Sequence, residues 1–329
     1  MATVSILSPD KTIGSDDSRS PARSGAVARK AAVVTGGTDG IGKEIARGLA
    51  RRGFAVVIVG RDGAKGAHAE DQLRASGRNP DIHFAPADLG LAAEAQRLGR
   101  RLQQQWPEVH CLVHSAGIVR GRRELTAEGI ESNFAVGYLG RFALTAALLP
   151  SLTAAGRPGK AARILLVSGA ARNGAVDFVD PNLTGNFSTL RAVLQCCHAN
   201  DLFAVELARR LDGAASGVTV SCLKIGVVRT NIRREFPRWM KILVPLLIDP
   251  LLAQSREDAA SAALSLLLDE MREGVTGALF LKIAKLRQIR SDGRGLGRDE
   301  GTRLWELSER MSGCKFDVTD GQATPAVEP

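Results

Sequence analysis

The sequence predicts an α/β fold, a doubly wound parallel sheet of about seven strands with helices on both faces. Three observations support it. Short continuous apolar runs alternate with segments of helical periodicity, as crossover connections between parallel strands require. A glycine-rich turn, Thr35-Gly36-Gly37-Thr38-Asp39-Gly40-Ile41-Gly42, stands at the first strand-to-helix corner. Small or acidic residues recur just past later strands, where open sheets of this kind bind ligands.

The first strand covers residues 31–34, and Ile41, Ile45 and Leu49 fall on one face of the helix beyond the turn. A second buried run, 55–59, ends at Gly60-Arg61-Asp62. Helical sequence over 63–76 leads to a third strand at 82–85, then Asp88-Leu89 and a helix over 91–105. The fourth strand, 111–114, precedes Ser115-Ala116-Gly117. A long helical region at 130–152, a strand at 163–168, a helix from about 190 to 211 and a strand at 218–223 continue the rhythm. Residues 237–252 interrupt it with an apolar segment cut by Pro245 and Pro250. That segment is too short to span a bilayer; a lid over a substrate crevice and a core-packing helix are the two expectations, with a membrane-surface contact third. A helix at 256–272, a last strand at 278–282 and a short helix at 303–311 follow.

At 329 residues with 44% hydrophobic content, the chain can bury a sizeable core. One domain is expected over 30–312, between disordered tails at 1–29 and 313–329. The net charge of +9 arises from scattered arginine pairs such as Arg51-Arg52 and Arg209-Arg210, the pattern of solvated helix faces. Aromatic residues make up 4%, so no stacking platform for nucleic acid is expected. Five cysteines, Cys111, Cys196, Cys197, Cys222 and Cys314, form no CxxC pair, which favours reduced thiols, a cytoplasmic location and no metal site. The first 29 residues lack a signal-peptide core, and no run of about 18 apolar residues predicts a transmembrane helix.

Glycine at a strand-to-helix corner lets a pyrophosphate approach backbone N–H groups at the positive end of a helix. Gly36, Thr38, Asp39, Gly40, Ile41 and Gly42 are therefore expected to cradle a dinucleotide. In a Rossmann-type sheet the residue past the second strand meets the adenosine ribose, and Arg61 suits the 2′-phosphate of NADP(H). Asp62 is close enough that a shift of register would favour NAD(H) instead. Asp88 can accept from the adenine amino group with Leu89 packed beside the ring, and Ser115, Ala116 and Gly117 leave room for the nucleotide.

Thr35 to Lys43, Ala87-Asp88-Leu89, His114-Ser115-Ala116-Gly117, Glu206 to Leu211, Gly226-Val227-Val228-Arg229-Thr230 and Leu304 to Arg310 together resemble the short-chain dehydrogenases/reductases, in particular the retinol-dehydrogenase-like branch. The resemblance spans roughly residues 30–312. It implies the Rossmann-type fold, a dinucleotide site and a role for Thr230 in holding the nicotinamide carboxamide. It also implies carbonyl or alcohol chemistry by an Asn, a Ser, a Tyr and a Lys, and here the sequence departs. Alignment through Ala199-Asn200 and Glu206-Leu207-Ala208 puts Val193 at the tyrosine position, Cys197 at the lysine, Gly169 at the serine and Gly137 at the asparagine. His114 and Ile225 replace a usual Asn and Pro.

Tyr138, Ser168 and Cys197 are the candidates for the vacant acid–base work, against core packing as the expected role of Tyr138 and inert packing as that of Cys197. Cys196, His198, Arg172, Asn173 and Asp177 lie nearby. The expected function is an atypical NADP(H)-binding enzyme acting on a small hydrophobic, polyketide-like or other secondary-metabolite substrate. It would work by hydride transfer to an activated acceptor or by a redox-neutral cyclisation. A catalytically inactive nucleotide-binding scaffold or sensor and an ordinary carbonyl reductase are the alternatives. The family's long paired helices suggest a homodimer or homotetramer.

Overall fold

A computed structural model of the chain describes residues 29–157, 160–171, 174–213, 216–226, 254–270, 274–289, 297–316 and 318. The expected N-terminal tail apart from Arg29, the segment 237–252, Arg172, Asn173 and Thr230 lie outside the described residues. Eight strands form one sheet: β1 (Ala31–Thr35), β2 (Ala55–Gly60), β3 (Ile82–Pro86), β4 (Cys111–His114), β5 (Ala162–Gly169), β6 (Val218–Ile225), β7 (Ala278–Lys282) and β8 (Leu286–Ile289). The helices are α1 (Gly40–Ala50), α2 (Gly63–Gly77), α3 (Ala92–Gln105), α4 (Ser132–Phe134), α5 (Gly140–Ala155), α6 (Thr189–Gly213), α7 (Arg256–Leu268) and α8 (Arg298–Ser312). Strand order is β3-β2-β1-β4-β5-β6-β7-β8, so the chain reverses direction across the sheet between β1 and β4. Every pairing up to β7 is parallel.

The inner strands are fully buried because helices cover both faces, which is why they appear in sequence as unbroken apolar runs. Two clusters fill the layers. One packs Leu98, Leu102, Phe134, Phe142, Leu148 and Phe203 beneath α3, α5 and α6; the other packs Ile45, Leu49, Leu73, Ala263 and Leu267 beneath α1, α2 and α7.

Three features correct or extend the sequence expectation. An eighth strand pairs antiparallel with β7, Lys282 opposite Leu286. The long helix expected over 130–152 is α4, a π turn at Ala135–Leu139 and α5. By composition this Ser132–Ala155 run is apolar enough to cross a membrane, but 78% of its most apolar window is buried, so it is a core helix here. The packed chain also continues past residue 312. Phe316 is buried, its ring 4.6 Å from Trp305. Trp305 in turn meets Phe142 at 5.2 Å and lies under the Arg210 guanidinium at 4.1 Å.

The α8 contact is thus an aromatic anchor on α5 and α6. Trp305→Ala is expected to lower unfolding free energy by about 3–5 kcal/mol, measured by denaturant unfolding; a loss under about 1 kcal/mol would show that α8 adds little to the fold.

Candidate functional site

The crevice begins at the carboxyl end of β1. Thr35 is fully buried, and its hydroxyl oxygen accepts from the backbone N–H of Ser115 at 3.1 Å and of Ala116 at 3.2 Å. One side chain thereby ties the exit of β1 to the exit of β4, where the strand order reverses. Gly36 follows with φ +66°, a conformation that favours glycine, and a Cβ added there would lie 2.9 Å from the backbone of Ala116. A Cβ at Gly42 would lie 2.5 Å from the Gly36 carbonyl oxygen. The turn is therefore packed without side chains against β4 and leads directly into α1. Asp39 caps α1, its carboxylate accepting from Gly40 N–H at 2.7 Å. The first-turn amides and positive end of α1 face the carboxyl edge of the sheet, a ready anion site. Ile41 is half-buried and packs toward the α1 core, and Thr38 stands over Gly60 at the exit of β2.

Past β2, Arg61 is largely exposed and lies 3.9 Å from Asp88. Asp62 caps α2, accepting from Lys65 N–H at 3.0 Å. The Lys65 ammonium reaches Asp39 at 2.6 Å, so a second cation stands beside Arg61 at this corner. Asp88 accepts from Gly90 N–H at 2.9 Å and keeps a carboxylate oxygen near Arg61. Leu89 corrects an expectation: it is buried in the core cluster with Ala87 and Phe134, so its side chain packs the interior rather than an adenine ring.

Ser115, Ala116 and Gly117 line the exit of β4, Ser115 and Ala116 half-buried and Gly117 exposed. Below them lies a polar layer that begins with Arg141 on α5. Its Nη1 donates to Val167 O at 2.9 Å and to Asn200 Oδ1 at 3.0 Å, and its Nη2 donates to Ala116 O at 2.8 Å. Asn200 donates in turn to the carbonyls of Gly137 at 2.9 Å and Cys196 at 2.7 Å. Thr145 gives its proton to Arg141 O, so His114 Nε2–H must donate to Thr145 Oγ1, at 2.8 Å. Burial, and then the Arg141 charge, hold His114 well below the ordinary histidine range and hence neutral at pH 7.

The tetrad positions assigned from sequence surround this layer. A Cβ at Gly137 would meet Cys196 Sγ at 3.2 Å, and one at Gly169 would meet Cys197 Sγ at 3.1 Å. The two adjacent thiols occupy the space beside the two glycines. Val193 is half-buried one turn earlier on α6. Burial pushes the Cys196 thiol well up, which leaves it protonated and unreactive. Ser168 is half-buried and pairs in register with Lys224 of β6. Lys224 forms a buried ion pair with Asp201, one turn past Cys197 on α6.

Tyr138 is not part of this site. It is 1% exposed, its ring packs on Phe134 and Phe203, and its hydroxyl bonds Ser308 of α8 at 2.6 Å. Burial pushes its phenol far above the ordinary value, so it neither gives nor takes a proton near pH 7. The structure thus brings together Gly36, Thr38, Asp39, Gly40, Gly42, Arg61, Asp88, Ser115, Ala116, Gly117, Ser168 and Cys197 along one edge, and sends Tyr138 and Leu89 to the core. Sequence reasoning missed the bridging role of Thr35, the second cation Lys65, and the layer of Arg141, Asn200, Asp201 and Lys224. A lone arginine amid the apolar residues of α5 was the one signal that could have pointed there. Among the described residues no cluster of His, Cys, Asp or Glu could hold a metal.

Residues 30–179 match the family model described as short chain dehydrogenase. The chain is 33% identical to polyprenol dehydrogenase of Mus musculus over 297 residues, 89% of this chain and 87% of that protein. It is 32% identical to retinol dehydrogenase 13 of Homo sapiens over 301 residues, 90% and 88% of the two chains. Among solved structures, a protein from Mycobacterium paratuberculosis superposes with TM-score 0.68 at 25% identity, covering 88% of this chain and 96% of that one. The Pseudomonas aeruginosa RhlG/NADP active-site complex superposes with TM-score 0.63 at 25% identity, covering 78% and 95%.

Thr35→Val keeps the side-chain volume but leaves the Ser115 and Ala116 amides without their acceptor. Stability is expected to fall by about 1–3 kcal/mol and nucleotide affinity to fall with it, measured by denaturant unfolding and titration. Unchanged values for both would show that the β1–β4 tie is dispensable.

Proposed function

The chain belongs to the short-chain dehydrogenase/reductase family, and we propose that it is an NADP(H)-dependent oxidoreductase moving a hydride to or from one carbon of a small apolar molecule. The observation that carries this reading is the glycine turn held against β4, where Gly36 and Gly42 leave no space for a Cβ and Thr35 locks the corner. A pyrophosphate fits such a cradle because backbone donors and the end of α1 supply positive potential with no side chain in the way. Bound there, the nicotinamide supplies or accepts the hydride.

Two facts support NADP(H) over NAD(H). Asp62, the acidic residue nearest the ribose corner, already engages one carboxylate oxygen in capping α2. Arg61 and Lys65 place two cations at the exit of β2, matched to a 2′-phosphate that would displace their contacts with Asp88 and Asp39.

For the substrate we extend the class named in the relatives. Polyprenol and retinol are long apolar alcohols, and we propose an apolar isoprenoid-type alcohol or aldehyde here. Relatives named as dehydrogenases favour hydride transfer over a redox-neutral cyclisation or a scaffold without chemistry.

The floor of the crevice suits a reaction with no tyrosine–lysine relay. Val193, Gly169 and Gly137 carry no proton to exchange, and the vicinal thiols fill the space beside the glycines. Oxidation of an alcohol would then release its proton to water, and reduction would draw a proton from water or begin from an acceptor already activated. Arg141, Asn200 and the Thr35 tie hold the floor rigid so that the reacting carbon is kept at one distance and angle.

Fluorescence titration tests the cofactor assignment. NADPH is expected to bind more tightly than NADH, and Arg61→Ala to weaken NADPH by about tenfold while changing NADH little. Absence of NADPH binding, or equal affinity for the two nucleotides before and after the substitution, would contradict the assignment.

A further inference from the structure

Arg141 is a buried cation whose hydrogen bonds all end on neutral oxygens. It is 5% exposed, and its three bonds go to the carbonyls of Val167 and Ala116 and to the Asn200 amide. Its buried Nε–H has no acceptor among the described residues, and the buried Nδ1 of His114 likewise has no donor. A guanidinium stays charged at any physiological pH. Burying such a charge is costly unless something gains from it.

Among the described residues no ion pair cancels the charge directly. Burial keeps His114 neutral, and burial keeps the Cys196 and Cys222 thiols protonated. Asp201 of α6 is matched by Lys224 of β6, and the two sum to zero. Glu131, a buried carboxylate, is held by the N–H groups of Asn133 and Phe134 and by the Asn133 amide at the start of α4; it lies close enough to act on Cys196 but makes no contact with the guanidinium. Arg141 also sits where its field would matter. Its Nη2 holds the carbonyl of Ala116, the residue packed against Gly36, and its Nη1 holds β5 two residues before Gly169.

We propose that Arg141 is a positioning residue that sets a positive field at the crevice floor, and that this field makes the site hold reduced nucleotide more tightly than oxidised. The inference rests on the NADP(H) assignment above. An oxidised nicotinamide ring carries a positive charge and a dihydronicotinamide ring none, so a fixed, buried cation beneath the floor penalises the oxidised form selectively. The same field suits alcohol oxidation without a side-chain base. The alcohol loses its proton to water, which creates negative charge. Its carbon then gives up a hydride, leaving a carbonyl and a reduced ring, which removes positive charge. Arg141 favours both steps.

The test measures dissociation constants for NADPH and NADP+ on the wild-type protein, Arg141→Met and Arg141→Lys, by fluorescence and calorimetry. Wild type is expected to bind NADPH the more tightly. Arg141→Met should shift the NADP+/NADPH ratio of constants toward one by on the order of tenfold. Arg141→Lys, which keeps the charge but not the forked hydrogen bonds, should retain most of the ratio even if both affinities fall. A ratio near one in the wild type overturns the inference without any variant. If Arg141→Met weakens both nucleotides equally, Arg141 is a structural brace and the inference fails alone. If the wild type binds neither nucleotide, the cofactor assignment fails and takes the inference with it.

Discussion

The acceptance of two backbone N–H bonds by the Thr35 hydroxyl is the constraint on which the crevice depends. A parallel sheet that changes direction must part its loops between the two central strands, and that parting is the ligand site. Without a tie, the loops leaving β1 and β4 would separate or collapse together. Thr35 fixes their spacing from inside the sheet, and Gly36 lets the chain pass at a separation that any Cβ would prevent. The orientation of α1, and with it the anion site at its start, follows from that one corner.

Below the corner, the protein spends its buried polarity on the floor. Arg141 binds the exits of β4 and β5 to α6, Asn200 passes the connection on to the π turn, and Lys224 with Asp201 joins β6 to the same helix. Buried polar links of this kind make one arrangement of strands strongly preferred, since breaking any of them orphans a buried group.

Much of this was legible in the sequence, and the misses have physical causes. The inner strands are buried on both faces, so their apolar runs marked them directly. Glycines 36, 40 and 42 marked the turn because the corner tolerates no side chain at Gly36 or Gly42. Strand β8 escaped notice since an edge strand of four residues, none fully buried, carries no such run. Tyr138 was a candidate for its place beside Gly137, but neighbouring helical side chains point about 100° apart, and its ring packs in the core on Phe134 and Phe203. Arg141 stood out as a lone arginine in an apolar helix, but its partners and those of Asp201 were not legible, because carbonyls, an amide and a lysine from other elements are brought close only by the fold. Leu89 was assigned to the cofactor by its place in a motif, and the core claimed it.

The fold and the glycine corner thus follow from packing, and the central claim built on them is the proposed hydride transfer between nucleotide and an apolar carbonyl. Isotope transfer addresses that claim most directly. With NADPH deuterated at the transferring position of the nicotinamide and an apolar prenyl aldehyde as acceptor, mass spectrometry of the product is expected to find one deuterium on the new carbinol carbon. Nucleotide bound at saturation with no deuterium transferred to that aldehyde, or to any related apolar carbonyl, would contradict the account.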